Sequence, residues 1–332
     1  VRLGLLIRLF TVSNGNIDEQ APSESDGILS WERPIVTRAQ FEESLDLAAE
    51  IGAEVVEFAQ SGRPDAAELL VEDATLRDEL SAMVADRGLD IAVLNAASMP
   101  MHPRAGGRSR RLIRRTIELA GLMGVPTVSS MSGIGGDGSS AKAVNWVGYP
   151  WPAESVALRE RHWEVAPAIW RDLANHAANH GVERIALEVH PMNLVYNVPT
   201  FQRLREAVGP TIHALIDPSH LFWQGMDPAA VVRALGQAVG HVHLKDTRID
   251  ENEVAIAGVL DGRTMEGKGP RAWAYRTLGR GHDAATWTTL LNALRETDYD
   301  GALSLEHEDQ HQTYAAGVRE AAAFVRPILE QG

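Results

Sequence analysis

Four short apolar runs, each ending in a side chain able to hold a metal, constrain this chain more than anything else in it. They are Ile185-Ala186-Leu187-Glu188-Val189-His190, Ile212-His213-Ala214-Leu215-Ile216-Asp217, Gly240-His241-Val242-His243-Leu244-Lys245 and Ala302-Leu303-Ser304-Leu305-Glu306. Short apolar runs of this kind, separated by helical segments, read as strands of a parallel sheet buried on both faces. A charge taken out of water without a partner is expensive, so carboxylates and imidazoles do not collect at such positions by accident. A divalent cation removes the penalty by pairing with all of them at once. Glu188, Asp217, His243 and Glu306 are therefore read as one metal site. Any one of them alone would be an ordinary polar strand end; four in succession would not.

The same strand–helix alternation runs through the rest of the chain. Strands are expected at about 2–8, 53–59, 89–95 and 125–131, and four more end at Glu188, at Asp217, near Lys245 and at Glu306. Helices are expected at about 37–51 with Thr37 as N-cap, 73–87, 108–123 and 154–180. Four more start at Thr200, at Asp227-Pro228, at about 284 and at about 313. Eight strands alternating with eight helices predict an α/β protein with a (β/α)8 TIM barrel, a single domain over 1–332 with long loops at 132–153 and 247–282. The glycine-rich run from Ser132 to Ser140 lacks the Lys-Ser/Thr ending of a phosphate loop and reads as a flexible loop. In such barrels the reacting groups sit at the C-terminal ends of the strands, where all four candidate ligands fall.

The net charge of −14 excludes nucleic acid and anionic membranes as expected partners. No cysteine is present, so thiolate sites are excluded and oxygen and nitrogen ligands remain. No apolar run reaches the length of a membrane span, and the apolar start Val1–Ile7 reads as a first strand, so a cytoplasmic protein is expected. Three carboxylates and one imidazole suit Mn²⁺, with Mg²⁺ or Co²⁺ as substitutes. Such a site would polarise a carbonyl and stabilise the anion formed when the next carbon loses a proton.

Strand alternation sorts the neighbours. Ala186 and His190 share a face with Glu188, His241 and Lys245 with His243, and Ser304 and Glu308 with Glu306. Glu188 and Glu306 are candidate base and acid as well as ligands, and His190 and Lys245 are candidate acid/base or hydroxyl-binding groups. His220, three residues past Asp217, and Asn95, at the end of strand three, are candidate substrate-binding residues. Trp146, on the long loop, reads as a stacking surface for a sugar or as packing. His102, His282 and His307 read as loop or supporting histidines.

These residues resemble the xylose-isomerase-like barrel superfamily, the sugar isomerase and epimerase group. In its epimerase branch one divalent metal is held by Glu, Asp, His and Glu from the last four strands, which match Glu188, Asp217, His243 and Glu306. The family's Asp-x-x-His matches Asp217-Pro218-Ser219-His220. The resemblance implies proton transfer next to a metal-polarised carbonyl of a sugar or sugar derivative, giving isomerisation or epimerisation, in an oligomeric enzyme acting on a small carbohydrate or glycoside. The epimerases' substrate-binding Glu and Arg are replaced here by Leu194 and Ile249, with Arg248 one position short. The large subunit of C-glycoside deglycosidases is a second resemblance. It implies a lyase that eliminates an aglycone from a 3-oxo sugar, with a small β-rich partner subunit. A non-catalytic metal- or sugar-binding subunit is the alternative of another class.

Overall fold

The computed structural model describes residues 1–9, 36–59, 65–138, 140–265 and 269–331. Residues 10–35, 60–64, 139, 266–268 and 332 lie outside them. In chain order the strands are β1 (Arg2–Arg8), β2 (Val55–Ala59), β3 (Asp90–Asn95), β4 (Thr127–Met131), β5 (Arg184–Glu188), β6 (Ile212–Ile216), β7 (Val239–Leu244), β8 (Asp246–Ile249), β9 (Trp273–Arg276) and β10 (Ala302–Leu305). Eight of them close a barrel in the order β1-β10-β7-β6-β5-β4-β3-β2, all pairs parallel. This is the (β/α)8 barrel that the alternation predicts.

The helices are α1 (Arg38–Glu50), α2 (Asp65–Glu72), α3 (Ala74–Ala85), α4 (Gly106–Met123), α5 (Ala153–Asn179), α6 (Val198–Val208), α7 (Pro218–Trp223), α8 (Pro228–Leu235), α9 (Glu251–Ala257), α10 (Ala284–Glu296) and α11 (Tyr314–Glu330). Local chemistry sets many of their starts. Thr37 closes a capping box with Gln40, and Asp73 and Asp283 accept from the third residue of their helices. The helix expected to start at Thr200 starts two residues earlier, because Asn197 is the cap and Pro199 sits in the first turn. The short helices α2, α7 and α9 are additions to the expected pattern.

Outward-facing strand residues pack on the inner faces of the helices. Phe58 of β2 meets Phe41 of α1 at 5.4 Å between ring centres, and Trp170, Trp287 and Phe201 are also fully buried. The barrel interior is instead partly polar: Glu57, Asn95, Ser129, His241 and Ser304 are all buried and bonded to one another. A dry interior tolerates such groups only when each finds a partner.

The described part of the expected loop at 247–282 contains regular elements. Its ends pair as the antiparallel hairpin β8–β9, with α9 between them. Asp246 ties the far end back, accepting from the backbone N–H groups of Thr247, Gly279, Gly281 and His282 and from the His282 ring at 2.8 to 3.0 Å. A Cβ at position 281 would lie 2.5 Å from the Asp246 carboxylate, so only glycine allows that approach. The first two residues of the glycine-rich run are tied to the fold. The Ser132 carbonyl accepts from the Trp170 indole, and Gly133 N–H donates to the Asn193 side chain.

Candidate metal and active site

Glu188 ends β5, Asp217 follows β6, His243 lies on β7 and Glu306 follows β10, so the four candidate ligands come from four adjacent strands. Each brings one oxygen or nitrogen within 4.8 Å of the others. Glu188, Asp217 and His243 are buried and Glu306 nearly so. Asp217 serves two purposes at once: its Oδ1 caps α7 by accepting from Ser219 N–H at 2.9 Å, and its Oδ2 turns to the centre. That Oδ2 and His243 Nδ1 are both sealed from solvent without a properly aligned hydrogen bond. Their neighbours are close enough for ion pairing but poorly angled for hydrogen bonding: Lys245 Nζ and His220 Nε2 lie 2.9 and 3.2 Å from Asp217 Oδ2, and Glu306 Oε2 lies 2.9 Å from His243 Nδ1.

Buried ligand atoms without an aligned hydrogen bond suit a cation. The electrostatics agree. Burial works against a charged His243 ring, but Glu57 and Glu306 override it and raise its pKa well above the ordinary value. The field that holds a proton there would also hold a dication. Burial likewise pushes the Asp217 carboxyl up, and Lys245 and His220 more than reverse it, leaving it well below the usual carboxylate range. The residues therefore fit a hard or borderline divalent cation held by three carboxylates and one imidazole.

Glu57, inside β2, was invisible to motif reading. It is fully buried, and its carboxylate accepts from Asn95 Nδ2 at 2.8 Å and Ser129 Oγ at 3.2 Å. His241 Nε2 lies 2.6 Å away and His243 Nε2 3.1 Å away. Glu57, His241 and His243 also form a group with metal-ligand spacing. Both ring nitrogens facing Glu57 sit at hydrogen-bond distance from it, so we read the carboxylate as their acceptor. It fixes the His243 tautomer with Nε2 protonated and Nδ1 free for the centre. The signal in the sequence was a lone carboxylate inside Val55-Val56-Glu57-Phe58-Ala59. We predict that Glu57→Gln weakens divalent-metal affinity by about 10- to 100-fold, read by calorimetry with Mn²⁺. Unchanged affinity would show that Glu57 does not orient the ligand.

The other candidates divide. Lys245 is 3% exposed and its Nζ lies 3.1 Å from Glu306, 3.2 Å from Glu308 and over the Tyr275 ring. His220 Nε2 lies 3.2 Å from Glu188, and its Nδ1 is 3.1 Å from the Tyr275 hydroxyl. Burial lowers the His220 pKa, but Asp217 dominates the remainder and pushes it up to about 9. His190 packs on His220 at 3.9 Å and hydrogen-bonds the Pro191 carbonyl; burial, then His220, lowers its pKa to about 4. These two rings thus form a charged and a neutral imidazole side by side.

Asn95 directs its amide to Glu57 and accepts from Ala97 N–H at 2.8 Å, so it supports the interior of the barrel. Trp146 donates to the Asn193 carbonyl at 3.0 Å and packs edge-on to Tyr196, which fixes it against the fold. His102 accepts from the backbone of Arg104 and Ala105 before α4, and His282 stacks on Phe222. A cavity of about 150 Å³ shares Tyr275 and Glu308 with the Lys245 cluster and is also lined by Arg248, Arg276 and His311.

Residues 45–328 match the family described as xylose isomerase-like TIM barrel. The chain belongs to that family. An uncharacterized Bacillus subtilis protein, YfiH, is similar to this xylose isomerase-like barrel at 36% identity over 311 residues, covering 91% of the chain and 99% of YfiH. Inosose dehydratase of Geobacillus kaustophilus is 27% identical over 146 residues, covering 42% of the chain and 46% of that protein. The structure of an L-ribulose 3-epimerase superposes with a TM-score of 0.62 at 16% identity, covering 99% of this chain and 95% of that one. The last likeness is one of fold. Among the described residues, no helix of this family member is long and apolar enough to cross a membrane.

Proposed function

We propose that this chain is a divalent-metal-dependent enzyme that moves a proton next to the carbonyl of a sugar or keto-cyclitol. The observation carrying this reading is the convergence of Glu188, Asp217, His243 and Glu306, two of whose buried ligand atoms lack an aligned hydrogen bond, at the barrel's C-terminal end. When bound there, Mn²⁺, Mg²⁺ or Co²⁺ would supply Lewis acidity that polarises a ketone and acidifies the adjacent C–H. The remaining steps fall to the protein.

Glu188 and Glu306 flank the centre from the outermost of the four strands. One takes the C–H proton, and the other returns a proton to the opposite face for epimerisation or to oxygen for isomerisation. Lys245 and the charged His220 are placed to donate to a leaving hydroxyl, which would turn the same first step into loss of water. The neutral His190 accepts hydrogen bonds from substrate hydroxyls. The inosose dehydratase relatives favour including keto-cyclitols and elimination among the outcomes.

The test is NMR in D₂O with Mn²⁺-loaded protein against free ketoses, keto-cyclitols and 3-oxo-glycosides. We expect deuterium to enter at the carbon beside the carbonyl of one class. Epimer formation, loss of water or loss of an aglycone then identifies the product-forming step. Exchange with none of them, under Mn²⁺, Mg²⁺ or Co²⁺, would overturn the enzymatic reading and leave a non-catalytic binding subunit.

A further inference from the structure

A second group of ligand-type side chains lies on the outer helix layer, independent of the barrel mouth. Glu118 projects from α4, and His176 and His180 come from the last turn of α5 and its C-cap. One atom from each lies within 4.8 Å of the others. The His-x-x-x-His spacing puts both rings on one helix face, the arrangement that chelates first-row metals. The rings are 4.3 Å apart between centres.

The donor atoms are prepared. His180 Nδ1 hydrogen-bonds the His176 carbonyl at 2.9 Å, which places its proton there and leaves Nε2 as a lone pair. His176 Nε2 is sealed from solvent and has no aligned hydrogen-bond partner, although Glu118 Oε1 lies 3.2 Å away. Two ligands bonded to one tetrahedral ion at about 2.0–2.1 Å are separated by roughly this distance. Arg115 holds the other carboxylate oxygen of Glu118 at 2.7 Å and so fixes its direction. Burial, then the neighbouring His180 and Arg114, lowers the His176 pKa.

The helices are built to meet here. A Cβ on Gly121 of α4 would stand 2.3 Å from the His180 carbonyl oxygen, so glycine is what lets α4 approach the end of α5. The end of α5 leads directly into the start of β5, which places the group at the barrel face away from the candidate active site.

We propose that Glu118, His176 and His180 form a peripheral transition-metal site that takes Zn²⁺ or Cu²⁺ and clamps α4 to the end of α5. Two imidazoles and one carboxylate select such ions over Mg²⁺, Ca²⁺ and Mn²⁺. Its role is stabilisation of the helix layer, since an ion bound only to the folded state raises the unfolding temperature.

Zn²⁺ titration of the full chain by calorimetry tests this, comparing wild type with His176→Gln/His180→Gln. The double variant should bind one Zn²⁺ fewer, and the Zn²⁺-dependent rise in unfolding temperature should shrink while proton-exchange activity is unchanged. A mouth that binds no metal would lower both stoichiometries equally and leave the difference intact. Equal stoichiometry in the two proteins overturns the proposal. A zinc anomalous diffraction map of the wild type decides independently of how the variant folds: a peak between the three side chains supports the site, and none there at saturating Zn²⁺ rejects it.

Discussion

Glu188→Gln and Glu306→Gln proteins should each lose proton exchange with substrate by about 10²–10⁴-fold, the range for removing a positioned acid or base. Either change removes a negative charge from the centre and replaces a proton acceptor with an amide, at nearly constant volume. The two carboxylates stand on the outer strands of the four and are both 3.2 Å or closer to a cationic partner, His220 for one and Lys245 for the other. Far-UV circular dichroism should be unchanged, because the barrel core does not depend on either side chain. Wild-type exchange in either variant would remove it from the proposed machinery.

The second large effect concerns Lys245. Its ammonium is buried and lies 2.9 Å from Asp217, 3.1 Å from Glu306 and 3.2 Å from Glu308. Burial disfavours the charge, yet Asp217, Glu306 and Glu308 raise its pKa well above the lysine value, so it stays charged. In Lys245→Met, Asp217, Glu306 and Glu308 lose the one charge that all three share. After chelation that variant should be about 3–5 kcal/mol less stable than the wild type, the cost of breaking a buried ion pair. Mn²⁺ should recover most of the loss by supplying the missing positive charge, while exchange activity stays low. Denaturant unfolding with EDTA and with Mn²⁺ measures both. Equal stability of the two chelated proteins would show that Lys245 does not balance this cluster.

The parts of this structure that were legible in the sequence share a physical reason. Apolar strands ending in Glu188, Asp217, His243 and Glu306 are costly unless the ends meet, and they do meet. Strand alternation also placed Lys245 and Glu308 correctly, since it depends only on backbone geometry. Glu57 was missed because its partners, His241 and His243, lie on β7, on a distant stretch of chain. Nothing local says which strand a buried carboxylate will face. The helix α7 was missed for a different reason. Asp217-Pro218 is the same cap signal that located α8 at Asp227-Pro228, but its carboxylate was read only as a ligand, whereas one oxygen caps and the other faces the centre. The hairpin β8–β9 escaped because its register is set by long-range ties to Asp246 and Asp309, not by a turn sequence.

The account rests on one cation shared by four strand ends. Anomalous diffraction at the manganese edge from crystals of the Mn²⁺-loaded protein tests it most directly. A single strong peak bonded to Glu188, Asp217, His243 and Glu306 is the predicted result. Manganese seated instead between Glu57, His241 and His243, or absent from the barrel at saturating Mn²⁺, would contradict it.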